Sequence, residues 1–229
     1  MKKGYRLKIV IPEKFSVEKQ NVMRALGAEL IIIPSEEGIE GAMTKADEIA
    51  KSIPDVFVAH QFENPANVRA HEYTGEEIWK ELDGKVDMLV AGAGSGGSVT
   101  GIGKALKKHN KDIKVILSDP VGSILGGGEA GNYKVEGIGN HFIPDVFDRN
   151  IIDEVEKITD DEAFYFVCIL SEYEGILGGS SSGEAVAAAV KQAIRAKRSE
   201  KKLNIAVILP DRSDRYFSEN IYHFERNKG

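Results

Sequence analysis

The chain has 229 residues, 42% of them hydrophobic, and a formal net charge of −6. That length and apolar content support a real core, as one large domain or two small ones. Acids and bases are interspersed, which leaves no basic face for a nucleic acid. No apolar run approaches the ~20 residues of a membrane span, and the apolar part of the opening MKKGYRLKIVIP is too short for a signal peptide. The single cysteine, Cys168, excludes an internal disulfide and is expected in a core, so the expected setting is the reducing cytoplasm.

In chain order, residues 7–11 read as a strand stopped by Pro12, and residues 16–26 as a helix with Ser16 as N-cap. Residues 29–33 form a second strand and 38–51 a second helix; 55–59 read as a weaker third strand. A polar loop, QFENPAN, then leads to a helix at 76–82 carrying Trp79 on its apolar face. Residues 86–91 are a buried strand, followed by glycines and serines and a helix to about Asn110; 113–117 is another strand, ending in Ser118-Asp119-Pro120. Residues 122–139 are glycine-rich and irregular, and a loop this long inside a domain usually has a function. A helix over 160–173, a second glycine and serine loop at 178–183, a helix over 184–197 and a strand at 205–209 complete the pattern. Strands alternating with helices predict an α/β fold with a parallel sheet.

The chain is organised around residues 86–104, VDMLVAGAGSGGSVTGIGK. A strand, a glycine loop and a helix in succession present free N–H groups and a positive helix end to a phosphate. Side chains at Gly94, Gly96 or Gly97 would obstruct that approach, and Ser95 and Ser98 add hydroxyl donors. A tight turn that binds nothing is the plainer alternative, disfavoured by so much glycine with serine interleaved. A dinucleotide is the other, since Gly92, Gly94 and Gly97 have the fingerprint spacing and Asp119 lies where a ribose ligand is expected. The five histidines show no metal spacing.

Five motifs in order carry a family resemblance: QFENPAN from Gln61, AGAGSGGSVTGIGK from Ala91, EGIGNHFIP from Glu136, EGILGGSSSGEAVAAA from Glu174 and ILPDRSDRYFS from Ile208. Together they resemble the cysteine synthase and cystathionine β-synthase family of pyridoxal-phosphate enzymes of fold type II. The resemblance implies a three-layer α/β fold with a parallel sheet, in which 1–66 is a remnant of the smaller domain and 67–229 the larger, phosphate-binding one. It assigns the cofactor phosphate to Gly94, Ser95, Gly96, Gly97 and Ser98, the strip facing cofactor and substrate to Gly137 and its neighbours, and the substrate carboxylate to Gln61. The partner of the pyridine nitrogen falls just after Pro210, where Asp211 and Ser213 compete. Residues 178–183 match a structural signature in which Ser182 is expected to cap a helix. The family reaction replaces the β-substituent of O-acetylserine or serine with sulfide or a thiol.

The resemblance also implies an absence. The family's cofactor-binding lysine and its substrate loop belong to a segment preceding the match to Lys3-Gly4-Tyr5, and no lysine here has that motif around it. The expectations are a truncated member with weak cofactor binding, no turnover by itself, and exposed faces covered by self-pairing or by a full-length relative.

Overall fold

A computed structural model describes residues 4–222, which form two compact units, 4–60 with 214–220 and 61–213 with 221–222. The smaller unit pairs β1 (Lys8–Pro12) with β2 (Glu29–Ile33) in parallel, Lys8 opposite Glu29 and Pro12 opposite Ile33. Helix α1 (Val17–Ala25) packs on β2 and α2 (Gly38–Ala50) on β1. Ser16 occupies the N-cap position of α1, but its side chain makes no capping bond.

The expected strand at 55–59 does not form. Asp55 takes a left-handed conformation (φ 56°) and Phe57 is 82% exposed, so this apolar run has no strand to pair with and no core to enter. The helix expected at 76–82 is much longer, α3 (Pro65–Glu81). Asn64 caps it by accepting from the Ala66 N–H, and Pro65 has its fixed φ in the first helical position.

The larger unit is built on four parallel strands in the order β5-β4-β3-β6: β3 (Met88–Gly92), β4 (Lys114–Pro120), β5 (Glu154–Ile158) and β6 (Ile205–Val207). Strand periodicity sends alternate residues to opposite faces. Leu89, Ala91, Val115 and Leu117 pack with Val99, Ile102 and Leu106 of α4 (Gly97–His109), and α3 lies over α4. Met88, Val90 and Ile116 pack on the other face with Ala163 of α5 (Asp160–Ile169) and Ala187 and Ala188 of α6 (Ser180–Arg198). The expected three layers are therefore present. A full capping box, Thr159 with Glu162, starts α5.

Strand β5 escapes sequence reading because its sequence EVEKI looks polar. Its Glu156 is buried against α6, where Gln192 donates to it at 2.7 Å and Arg195 forms an ion pair with it. The helix expected at 184 begins at Ser180, with Gly179 as N-cap, so Ser182 lies inside the first turn and does not cap it. Helix α4 crosses α3 at glycines, and a Cβ on Gly75 would stand 2.6 Å from the Ala105 Cβ. Cys168 is buried, as expected of a core cysteine.

Candidate functional site

Chain order and sheet order together mark one place on the larger unit. From β3 the chain runs through α4 on one face to β4, whereas α5 and α6 on the other face lead to β6, on the opposite side of β3. The carboxyl ends of β3 and β6 thus flank a topological switch point, where open α/β sheets bind ligands. The loop 93–96 leaves β3 there, and residues 208–213 leave β6; the Ile208 N–H donates to the Val90 carbonyl at 3.0 Å.

The glycine loop is shaped by contacts on every side. Gly96 adopts φ 84° as N-cap of α4, a left-handed conformation that glycine takes without strain. A Cβ on Gly94 would stand 2.5 Å from the Gly137 carbonyl, and one on Gly97 would overlap the Asn67 amide. Strip 136–140 is laced to the loop: the Gly139 N–H donates to the Ala93 carbonyl at 2.8 Å, and the Asn140 amide donates to the Gly94 carbonyl at 2.5 Å. Gly94 and Gly137, far apart in sequence, are brought into contact.

Ser95 of the loop and Ser98 in the first turn of α4 are both held from α3. Asn67 Nδ2 donates to Ser95 Oγ at 2.9 Å and to the Gln61 carbonyl at 2.9 Å. One helical turn on, His71 Nε2 lies 3.0 Å from Ser98 Oγ, and Thr74 Oγ1 lies 3.4 Å from His71 Nδ1. Burial holds His71 below the usual histidine range. Gln61 itself is exposed, and its main chain is tied to the site through Asn67.

The segment after β6 is anchored by the Ser213 N–H, which donates to the Leu177 carbonyl at 3.0 Å, and by a bridge between Arg212 and Gly178. Ser213 is 1% exposed and its hydroxyl has no hydrogen-bond partner; Asp211 is half-buried. A buried hydroxyl without a partner costs roughly 1–3 kcal/mol unless something bonds to it.

A second polar group lies at the head of α6. Glu184 is fully buried, neither carboxyl oxygen makes a hydrogen bond, and burial, then the charge of Asp119, holds it well above the usual carboxylate range. The nearby Ser118 hydroxyl pulls it back in part, without a well-formed bond. Burial, then Asp119 and Glu184, also pushes the Tyr133 phenol up to about 12. Asp119, the candidate ribose ligand, is 1% exposed; one oxygen pairs with Lys157 Nζ at 2.5 Å and accepts from the Gly126 N–H at 2.9 Å.

Asn67, His71 and Asn140 join the site beyond the residues expected from sequence. For Asn67 and His71 the signal is their i,i+4 spacing, which has meaning only on a helix that begins at Pro65, well before the expected 76–82. Among the described residues no group of three or more His, Cys, Asp or Glu could hold a metal, and no helix is long and apolar enough to cross a membrane.

Residues 1–211 match the family described as pyridoxal-phosphate dependent enzyme. The chain is 44% identical over 222 residues to an O-acetylserine dependent cystathionine beta-synthase of Bacillus subtilis (strain 168), covering 96% of this chain and 71% of that protein. It is 47% identical over 214 residues to a cysteine synthase of Helicobacter pylori (strain J99), covering 93% and 69%. Its fold superposes on the crystal structure of an O-acetylserine dependent cystathionine beta-synthase from Helicobacter pylori with a TM-score of 0.89 at 45% identity, covering 96% of this chain and 72% of that one. The chain therefore has the architecture of its fold type II neighbours and belongs to the pyridoxal-phosphate dependent enzyme family, among relatives named cysteine synthase and cystathionine beta-synthase.

Proposed function

We propose that the head of α4 holds the phosphate of pyridoxal 5'-phosphate, in a chain built for β-replacement on O-acetylserine or serine. The observation that carries this reading is convergence at the switch point: the Ser95 and Ser98 hydroxyls, in the loop after β3 and the first turn of α4, held from α3, and a buried, unpartnered Ser213 hydroxyl after β6. When bound, the cofactor supplies an electron sink for bond changes beside an amino acid's α-carbon.

In this reading the free N–H groups of the first turn of α4 and the hydroxyls of Ser95 and Ser98 hold the phosphate, with the helix dipole adding to the attraction. Gly94, Gly96 and Gly97 keep side chains out of the cradle. Ser213, rather than Asp211, partners the ring nitrogen, which satisfies its orphaned hydroxyl; a hydroxyl leaves that nitrogen free to be neutral, where a carboxylate would hold it protonated. Gly137 and its neighbours line the ring, and the Gln61 amide receives the substrate carboxylate. The dinucleotide reading loses its support because Asp119 is buried and paired with Lys157.

No lysine in the sequence carries the family's lysine motif, so the proposal includes non-covalent, weak cofactor binding and no turnover by these 229 residues alone. Exposed Leu26 and Tyr5 on the smaller unit and Tyr173 on the larger support self-pairing or pairing with a full-length relative. The test is an equilibrium titration with pyridoxal phosphate followed by absorbance, with a second sample reduced by borohydride, gel-filtered and weighed by intact mass. We expect saturable binding by equilibrium titration, no reduced adduct, and weaker binding by Ser213→Ala. A lysine adduct with turnover would overturn the inactivity, and no binding at all would overturn the cofactor reading.

A further inference from the structure

The hydrogen bond between Ser98 and His71 has a direction, and that direction matters to any anion at α4. Ser98 Oγ has one proton. If the proton goes to His71 Nε2, none is left for a phosphate oxygen; if His71 Nε2–H donates to Ser98 Oγ, the serine proton is free for the ligand. Thr74 Oγ1 lies 3.4 Å from His71 Nδ1; when it donates to Nδ1, the ring proton is on Nε2 and faces Ser98. The same hydroxyl can turn and accept instead, so a second proton on the ring would find its partner already in place.

We infer that His71 is a positioning residue for the anion site, which turns the Ser98 hydroxyl toward a phosphate oxygen and takes up a proton when a dianion binds. This rests on the phosphate reading of the loop. Neutral His71 suits the free site, because burial disfavours its charge; a dianion one hydroxyl away favours that charge. The charged groups along the α3 and α4 seam are paired elsewhere: Glu72 with Lys108 at 2.6 Å, Glu76 with His109 at 2.7 Å, and Lys104 with Asp148 at 2.9 Å. The bound anion is then the uncompensated charge that His71 meets. Asn67 does the corresponding work for Ser95 without titrating, since its amide can only donate there.

The probe is sulfate, which stays a dianion across the range in which histidine titrates, so proton uptake cannot come from the ligand. Sulfate binding to the 229-residue chain is measured by calorimetry near pH 7 in two buffers of different ionisation enthalpy. The His71 ring signal is followed by NMR with and without sulfate. We expect a fractional proton taken up per sulfate and an upward shift of the His71 midpoint. We also expect no uptake in His71→Gln, which keeps a donor to Ser98, and roughly 5- to 10-fold weaker binding in His71→Leu, folding being checked by circular dichroism. Equal proton uptake in His71→Gln, an unmoved midpoint, or unweakened binding in a folded His71→Leu would overturn the inference and leave the phosphate reading standing. If folded wild type binds neither sulfate nor pyridoxal phosphate, both readings fall.

Discussion

Gly101→Ala tests whether the seam between α3 and α4 places the loop serines. A Cβ at Gly101 would stand 2.7 Å from His71 Cβ and 3.0 Å from the Glu72 nitrogen, and would overlap the Val68 carbonyl. Two of these are backbone atoms of α3, so the helix itself must retreat. Ordinary contact begins near 3.4 Å, so clearing the His71 Cβ needs about 0.7 Å and clearing the Val68 carbonyl needs more, enough to stretch the 3.0 Å His71–Ser98 contact past hydrogen-bonding range. Overpacking costs about 1–3 kcal/mol and the lost bond about 1 kcal/mol, while alanine regains about 1 kcal/mol of helix propensity. The net is a loss of about 1–3 kcal/mol, read as a Tm drop of roughly 3–10 °C for a unit of this size, with weaker sulfate binding. The control is Gly103→Ala, whose Cβ meets only side-chain carbons of Ile151 and Val115 at 3.1 and 3.2 Å, and which should hold or raise Tm. Thermal unfolding followed by circular dichroism reads both variants. A Gly101→Ala protein as stable as its parent, with unchanged sulfate affinity, would refute the reasoning.

Lys157→Met should cost about 3 kcal/mol in urea unfolding, near the low end for a broken buried pair because Lys157 remains partly exposed, and adding Asp119→Asn should restore much of it. No recovery in the double variant would mean that the pair's charge is not what matters there. Glu184 gives a pH signature. Below the ordinary carboxylate range it is protonated in both folded and unfolded chains; as pH rises the unfolded chain releases the proton first, so its contribution to stability declines until the raised folded value is passed. Glu184→Gln should therefore gain on wild type as pH rises through and above the ordinary carboxylate range, until the raised folded value is passed, and parallel curves would contradict the assignment. Ser213→Ala should weaken pyridoxal phosphate binding without lowering Tm, because it removes a hydroxyl that has no partner in the free protein.

What was legible in the sequence was whatever is written locally. The run VDMLVAGAGSGG names a strand, a loop and a helix head in consecutive residues, and five motifs in order were enough to name a family whose members share the fold. The three layers followed from alternating periods. Local reading failed where a segment's character depends on what it meets. Residues 55–59 have the composition of a strand and no neighbour to pair with, while EVEKI looks polar and is a strand because α6 supplies Gln192 and Arg195 to its glutamates. Ser182 reads as a cap until the helix is seen to start two residues earlier.

The candidate site divides in the same way. The sequence by itself determined that residues 94–98 could cradle an anion, because the need for glycine and hydroxyls is a property of the backbone there. Only the tertiary structure decided that Asn67 and His71, one turn apart on α3, aim those hydroxyls, that Gly137 closes on Gly94, and that Ser213 is left buried with an unused hydroxyl. The physical reason is that hydrogen-bond direction and burial belong to pairs of groups, and these pairs are made by strands and helices distant in sequence.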